Sequence, residues 1–220
     1  MLRQTATQKS FMRILIADDH AVVRRGLSEI MADEYDPLTI GEAQNAEATL
    51  RLVREQTWDI VVLDISMPGK NGLEVLKELK QLRPKLPVLI LTAHPEEQYA
   101  LRVLKAGAAG YMTKESAPEH LIEAVRKVTR GERYISPALI DILATSIGVN
   151  VTQPPHESLS DREYQVLCLI ASGKSVGQIA AELSLSAKTI STYRARILEK
   201  MGMKTNAELT HYAISNKLVG

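Results

Sequence analysis

The chain lacks the features that mark secreted, membrane-spanning or strongly basic proteins. Its single cysteine excludes an intrachain disulfide. Apolar runs such as residues 60–63 and 88–91 are far shorter than the about 18 residues of a transmembrane helix. Residues 1–11, which contain no apolar signal segment, are expected to form an N-terminal extension. Since they lack the apolar segment of a secretory signal, we expect a cytoplasmic protein without membrane contact. The 27 Lys and Arg residues are balanced by 26 Asp and Glu, which excludes a broad polybasic surface.

The rest of the composition is typical of a globular protein. Apolar residues make up 45% of the chain and charged residues 24%. At roughly 150 residues per domain, the length is enough for two domains, each with its own core. Cys168 lies in an apolar stretch, so we expect it to fill a core rather than act as a nucleophile.

Residues 12–133 alternate short apolar runs with segments of helical periodicity. Continuous apolarity within a run favours strands buried on both faces, as in a parallel sheet. The pattern therefore predicts an α/β domain with a five-stranded, doubly wound parallel sheet, in which ligands bind at the carboxyl ends of the strands. The predicted strands cover residues 13–17, 38–40, 60–63, 88–91 and 110–112.

The pattern changes after residue 133. Residues 134–158 are interpreted as a linker in which residues 137–147 can form a short helix. Residues 159–220 show four short helical patterns and no strand signal, which predicts an all-α domain. The formal charge is −2 over residues 12–133 and +2 over residues 156–220. The positive charge of the C-terminal part suits contact with phosphates.

Acidic residues follow two of the predicted strands. Asp18 and Asp19 come directly after the first strand, and Asp64 ends the third. Because these strands are neighbours in a doubly wound sheet, three carboxylates converge at one edge. Packed carboxylates repel one another unless a proton or a cation neutralises them, and an oxygen-lined cluster suits Mg²⁺.

A hydroxyl and an ammonium group are predicted at the same edge. Thr92 ends the fourth strand, and Lys114 lies just past the fifth. Taken singly, such residues are usually loop caps or solvated side chains. Together with the carboxylates they can hold a phosphoryl group, with Asp64 as the nucleophile and Mg²⁺ and Lys114 neutralising its oxygens.

The last 61 or so residues carry the signals of a helix-turn-helix. Ser160 with Glu163 and Thr205 with Glu208 are capping boxes, and a three-residue turn joins a second helix to a longer one over residues 187–201. One face of this longer helix is small and polar or charged, as a helix in the major groove requires. The pattern alone also fits an amphipathic helix that contacts protein. The outward residues are Lys188, Ser191, Thr192, Ala195, Arg196 and Glu199.

The first domain resembles the receiver domain of bacterial two-component response regulators. The resemblance rests on Asp18-Asp19, Asp64 before Met67-Pro68-Gly69, Thr92-Ala93, and Tyr111 with Lys114. It implies that Asp64 accepts a phosphoryl group from a sensor histidine kinase, and that the chain is otherwise not an enzyme. It also implies Mg²⁺ held by Asp19, Asp64 and the backbone carbonyl of Ser66, with Asp18 acting through water. Thr92 would then move to the phosphoryl group, and Tyr111 would turn inward behind it.

The second domain resembles the helix-turn-helix of the LuxR/NarL/FixJ class. The motifs are Leu159-Ser160-Asp161-Arg162-Glu163, Ile179-Ala180, Lys188-Thr189-Ile190 and Lys200-Met201-Gly202. The chain departs from the class at Val176-Gly177-Gln178, where members often carry Asn-Lys-Glu, and at Ser191, where they often carry lysine. The outward face of the longer helix and its Lys188-Thr189 motif together predict that the DNA is contacted by this helix, with Arg194 and Lys204 beside the face and placed for phosphates. The predicted contacts are Lys188, Thr189, Ser191, Thr192, Arg194, Ala195, Arg196 and Lys204.

Both halves together predict a response regulator that controls transcription. The expected partners are a sensor histidine kinase, double-stranded DNA and a second copy of the chain when phosphorylated, with RNA polymerase as a further candidate. One alternative is a DNA-binding regulator whose receiver is a phosphorylation-independent dimerisation scaffold. Another is an aspartyl-phosphate phosphatase, although no insertion is present to form a substrate cap.

Overall fold

A parallel sheet flanked by helices precedes a helical domain in the computed structural model, which describes residues 11–137, 139–140 and 154–219. The strands are β1 (Met12–Ala17), β2 (Leu38–Ala43), β3 (Ile60–Leu63), β4 (Val88–Thr92) and β5 (Gly110–Thr113). The helices between and after them are α1 (Ala21–Glu34), α2 (Ala46–Glu55), α3 (Gly72–Leu82), α4 (Glu96–Lys105) and α5 (Ala117–Thr129). The predicted α/β fold is confirmed, and each predicted strand lies within an observed one.

The sheet has the order β2-β1-β3-β4-β5, and all its strand pairs are parallel. In the register, Ala17 pairs with Leu63, and Thr92 pairs with Thr113. The residues that directly follow these four strands therefore all emerge at the same edge of the sheet. The order of the strands reverses direction between β1 and β3.

Both faces of the sheet are covered by apolar helix surfaces, which explains the continuous apolarity of the strands. On one face, Ile14 and Ile16 belong to a buried cluster with Leu27 of α1 and Val125 of α5. The other face packs against α2, α3 and α4. All four residues of β3 are buried.

The second domain is a bundle of four helices preceded by a 3₁₀ turn over Pro155–Ser158. The helices are α6 (Asp161–Ala171), α7 (Val176–Glu182), α8 (Ala187–Met201) and α9 (Asn206–Ser215). Both predicted capping boxes, at Ser160 and Thr205, are confirmed, and a third begins at Ser175. A short turn joins α7 to α8, and these two helices form the helix-turn-helix.

The linker is described only in part. Residues 137, 139 and 140 are helical, in agreement with the start of the predicted short helix. Residues 138 and 141–147 of that helix, residues 148–153 of the linker and residues 1–10 of the N-terminal extension lie outside the described residues. Within the described residues, no helix combines the length and the apolarity needed to cross a bilayer.

Helix α6 differs from an ordinary amphipathic helix because it is buried on every side. Residues 162–171 are all buried, and Cys168 is 3% exposed, as its apolar surroundings predict. The apolar cluster on the α4 side of the sheet continues through Tyr99 and Tyr164 into the second domain. The expectation of one separate core per domain is thus wrong on this face, because α6 packs between α4 and the rest of its own bundle.

Candidate functional site

Asp64 lies at the centre of the carboxyl edge of the sheet. It follows β3, and its amide donates a hydrogen bond to the carbonyl of Ala17 at the end of β1 (2.8 Å). Asp18 follows β1, so the two carboxylates are placed side by side by the pairing of their strands. Each residue is 2% exposed.

Lys114 reaches both carboxylates from the other side of the site. Its amide is bonded to the carbonyl of Thr92 (2.8 Å), which fixes its position just beyond β5. Its Nζ lies 2.7 Å from Asp64 Oδ2 and 2.6 Å from Asp18 Oδ2. The ammonium therefore neutralises part of the charge where the strands end.

Burial and ion pairing act in opposite directions on these groups. Burial raises the pKa of the Asp64 carboxyl, although hydrogen bonds from Lys114 and the Ser66 amide partly offset the shift. For Lys114, burial alone would lower the pKa, but the hydrogen bonds to Asp18 and Asp64 outweigh it and raise the pKa above the ordinary lysine value. Positive charge near Asp64 therefore opposes the effect of burial on its pKa and favours the ionised carboxylate.

The same edge offers a group of atoms able to hold a metal ion. One ligand atom from each of Asp18, Asp19, His20 and Asp64 lies within 4.8 Å of the others. Asp18 Oδ2 and Asp19 Oδ1 are buried, and each has a side-chain nitrogen beside it: Lys114 Nζ lies 2.6 Å from the first and His20 Nδ1 lies 2.8 Å from the second. Buried carboxylate oxygens grouped in this way fit a hard cation that prefers oxygen ligands.

Arg24 positions the acidic cluster, a role that sequence reasoning missed. This arginine of α1 is 6% exposed, and its Nη1 donates to the backbone carbonyl of Asp18 (2.8 Å). Its Nε bonds Glu42 of β2 (2.7 Å). The only signal in the sequence was an arginine on the otherwise inward face of an amphipathic helix, which is uncommon without a partner.

The loops after β3 and β4 meet above Asp64. Ser66 donates its amide to Asp64 Oδ1 (2.9 Å), and its Oγ lies 2.9 Å from His94 Nε2. The amide of His94 points to Thr92 Oγ1 at 3.4 Å. The two loops are thus tied to each other directly beside the carboxylate.

Tyr111 differs from the inward turn that the resemblance implies. Its ring is already fully buried, and its hydroxyl donates to the carbonyls of His94 (2.9 Å) and Pro95 (3.2 Å). Those two carbonyls hold the ring beneath the loop after β4, so no inward turn is needed from this conformation.

The predicted DNA contacts lie in the separate helical domain. The side of α8 that faces the bundle carries the buried Ile190, Ile197 and Met201. The opposite side is open to solvent, whereas Thr189 and Arg194 are half-buried, and Arg194 Nε bonds Asn206 Oδ1 (2.5 Å). We call the open side the reading face; its exposed residues are Lys188, Ser191, Thr192, Ala195, Arg196 and Glu199.

Comparison with known families decides between the interpretations of the two domains. Residues 14–126 match the response regulator receiver domain, and residues 157–213 match the bacterial regulatory proteins of the luxR family. The chain is a response regulator. Its helix-turn-helix places it with the NarL/FixJ type, so this is a DNA-binding regulator of transcription that is controlled through a receiver.

Related response regulators span nearly the whole chain. The response regulator GacA of Pseudomonas aeruginosa is 38% identical over 209 residues, which cover 94% of this chain and 98% of GacA. The structure of RcsB from Salmonella enterica serovar Typhimurium, bound to the promoter rprA in the presence of the phosphomimetic BeF₃⁻, is 28% identical. The matched region covers 93% of this chain and 99% of the RcsB chain, with a TM-score of 0.63. A structure of two RcsB dimers bound to two parallel DNAs is 26% identical, covers 94% and 99%, and has a TM-score of 0.58.

Proposed function

We propose that a sensor histidine kinase phosphorylates this response regulator on Asp64, and that the phosphoryl group shifts dimerisation and DNA binding. The observation that carries the proposal is the buried Asp64 carboxylate, held between Lys114 and the loops that carry Ser66 and His94. A phosphoryl group on this carboxylate would lie between these two loops and would act on their positions. The chain would thus act as a phosphorylation switch rather than as an enzyme with an external substrate.

The geometry suits a simple transfer. An Asp64 carboxylate oxygen forms the new bond to phosphorus while the bond to the donor's imidazole nitrogen breaks, and the electron pair leaves with the imidazole. Lys114 stays within reach of the transferred oxygens, because its Nζ already contacts Asp64 Oδ2. The product carries about −1.5 to −2 charges at neutral pH, which the ammonium partly neutralises.

We propose Mg²⁺ as the cation for the acidic cluster. Asp19, Asp64 and the Ser66 carbonyl would hold it, with Asp18 acting through a water molecule. The ion would neutralise phosphoryl oxygens during transfer. The close grouping of carboxylate oxygens from Asp18, Asp19 and Asp64 supports this assignment.

The reading face is proposed to enter the major groove as one half of a homodimer. A domain of formal charge +2 neutralises few phosphates alone, so pairing is needed for tight binding. The RcsB dimers seen on DNA support this arrangement for a related protein. A dimer reads two half-sites about one helical turn apart, near 10 bp from centre to centre. RNA polymerase is proposed as a further partner on the same promoter.

The decisive experiment is selection of DNA by the full chain, with and without acetyl phosphate and Mg²⁺. We expect enrichment of paired half-sites and tighter binding after phosphorylation. Equal affinity in both conditions would favour the rival in which the receiver is only a dimerisation scaffold. Rapid turnover of small phosphomonoesters would favour the phosphatase instead.

Substitutions on and beside the reading face are expected to have different effects. Thr192→Ala or Arg196→Ala should cost about 1–3 kcal/mol on the preferred site and little on other DNA, because exposed side chains there reach base edges. Lys204→Ala should weaken binding to all sequences and reduce the salt dependence by roughly one unit of slope. Titrations of the preferred site and of random DNA at several salt concentrations measure both effects.

Glu208→Gln is the control, since the Glu208 side chain caps α9 by accepting hydrogen bonds from the amides of Lys204 and Thr205. Equal losses for Thr192→Ala, Arg196→Ala and Lys204→Ala on random DNA would show that α8 does not read bases.

A further inference from the structure

His20 lies between the acidic cluster and helix α1, of which it is the N-cap residue. Among the described residues, its side chain makes no capping hydrogen bond to the first turn of that helix. Its backbone amide donates to Asp18 Oδ1 (2.8 Å), which holds the residue directly beside the end of β1. Capping of α1 therefore does not explain where the imidazole lies.

The imidazole of His20 is turned towards the carboxylates. Its Nδ1 lies 2.8 Å from Asp19 Oδ1 and 3.2 Å from Asp18 Oδ1. A ring nitrogen carries at most one proton, so Nδ1 can donate a full hydrogen bond to only one of the two oxygens. A divalent cation placed among the nitrogen and the two oxygens would be bound by all three atoms.

The spacing of these three atoms matches that of neighbouring ligands on one metal ion. Imidazole nitrogens and carboxylate oxygens bind ions such as Zn²⁺ at about 2.0–2.2 Å, so two ligands at right angles are about 3 Å apart. The two distances from Nδ1, 2.8 Å and 3.2 Å, lie on either side of that value. A hydrogen bond of this length would explain one of them, whereas a shared ion explains both.

Lys114 does not occupy the space beside His20. Its Nζ contacts the Oδ2 atoms of Asp18 and Asp64, whereas Nδ1 of His20 faces the Oδ1 atom of Asp18. The side chain of His20 is 64% exposed, but those of Asp18 and Asp64 are 2% and 1% exposed. His20 thus lies on the outer side of the acidic cluster, where an ion from solution would arrive.

A nitrogen among oxygen ligands changes which ion a site prefers. Mg²⁺ favours carboxylates, carbonyls and water and gives up its water molecules reluctantly. Imidazole suits ions such as Fe²⁺, Ni²⁺ and Zn²⁺, and the affinity of a site with nitrogen ligands rises along the first transition row. A cluster of carboxylates alone does not make this distinction, so any preference would come from His20.

We propose that His20 is a metal ligand of the acidic cluster, and that its Nδ1 makes the site prefer a divalent transition-metal ion to Mg²⁺. The inference rests on the proposed function, which places a cation between Asp19 and Asp64. His20 adds one nitrogen to that oxygen ligand set. The receiver would then hold a transition-metal ion when both kinds of ion are present.

The test measures the affinities of the full chain for Co²⁺ and Mg²⁺ by titration calorimetry without a phosphodonor, with Mg²⁺ measured by displacement of Co²⁺. We expect His20→Gln to lower the ratio of Co²⁺ affinity to Mg²⁺ affinity by about tenfold or more. Loss of a group that only orients a metal ligand already costs about 10–100-fold in affinity. The visible absorption bands of bound Co²⁺ should also shift, because an oxygen replaces a nitrogen ligand.

His120→Gln is the matched control, because His120 on α5 is an exposed histidine beside Glu119, outside the acidic cluster. This substitution should change neither the affinity ratio nor the absorption bands. Asp19→Asn should weaken the binding of Co²⁺ and of Mg²⁺, which would place the measured ion at the cluster.

The outcomes separate the two proposals. An unchanged affinity ratio or unchanged Co²⁺ bands in His20→Gln would show that the imidazole is not a ligand and only pairs with the aspartates. Equal changes in His120→Gln would also overturn the inference, because Co²⁺ would then bind surface histidines. If the parent takes up no phosphoryl group from acetyl phosphate and Mg²⁺, the proposed function fails. The Co²⁺ titration still decides the role of His20 in that case, since it needs no phosphodonor.

Discussion

A chain carrying Asp64→Asn is expected to take up no phosphoryl group from acetyl phosphate and Mg²⁺. An amide is a poor nucleophile, and the substitution keeps the size of the side chain within a nearly closed site. Asn also removes one negative charge beside Asp18, so the folded receiver should not be destabilised by repulsion. Intact-protein mass spectrometry measures the adduct, and the increase in DNA affinity on phosphorylation should vanish with it.

Asp19→Asn provides the comparison for this result. It should slow uptake and raise the Mg²⁺ concentration needed for half-maximal rate while the adduct still forms, because the acceptor remains. A phosphoryl adduct of normal yield on Asp64→Asn would mean that another side chain accepts the group.

Lys114→Ala is expected to permit phosphorylation but to abolish the response of dimerisation and DNA binding to it. Lys114 is the ammonium that contacts both Asp18 and Asp64, so its loss removes the group that senses the added charge. Without Lys114, its lowering effect on the pKa of Asp64 is lost and the effect of burial is less opposed. Uptake of the phosphoryl group should therefore also become slower. Analytical ultracentrifugation with and without acetyl phosphate measures the dimer fraction at equal phosphorylation.

Lys127→Ala is the control for the loss of a lysine, since Lys127 on α5 pairs with Glu123 on the exposed side of the receiver. If phosphorylated Lys114→Ala dimerises like the parent chain, Lys114 does not transmit the signal, and the loops with Ser66 and His94 have to do so without it.

Part of the site around Asp64 follows from the local sequence pattern. Asp18, Asp64 and Lys114 meet because each follows a strand, and the sheet register brings those strand ends together. Since apolar runs mark the strands, the acidic cluster and its lysine are predictable from the order of residues alone. The reading face is predictable in the same way, because helical periodicity assigns Ile190 and Ile197 to the bundle.

Other features depend on contacts between residues distant in sequence. Arg24 reaches Asp18 and Glu42 only because α1 packs across β1 and β2; its place on the inward face of α1 indicates a buried partner but not which one. The buried position of Tyr111 depends on the carbonyls of His94 and Pro95. No local pattern encodes either arrangement.

Short-range pattern in the chain is enough to specify the two folds, the grouping of Asp18, Asp64 and Lys114 and the open side of α8, since periodicity and strand ends are local properties. How the domains meet is set by tertiary contacts instead. The apolar run over residues 166–171 of α6 indicates burial without indicating the partner, and Tyr164 contacts Gln98 and Arg102, which are far from it in sequence. Such docking depends on the shape and hydrogen-bonding groups of two finished surfaces, which exist only after each domain has folded.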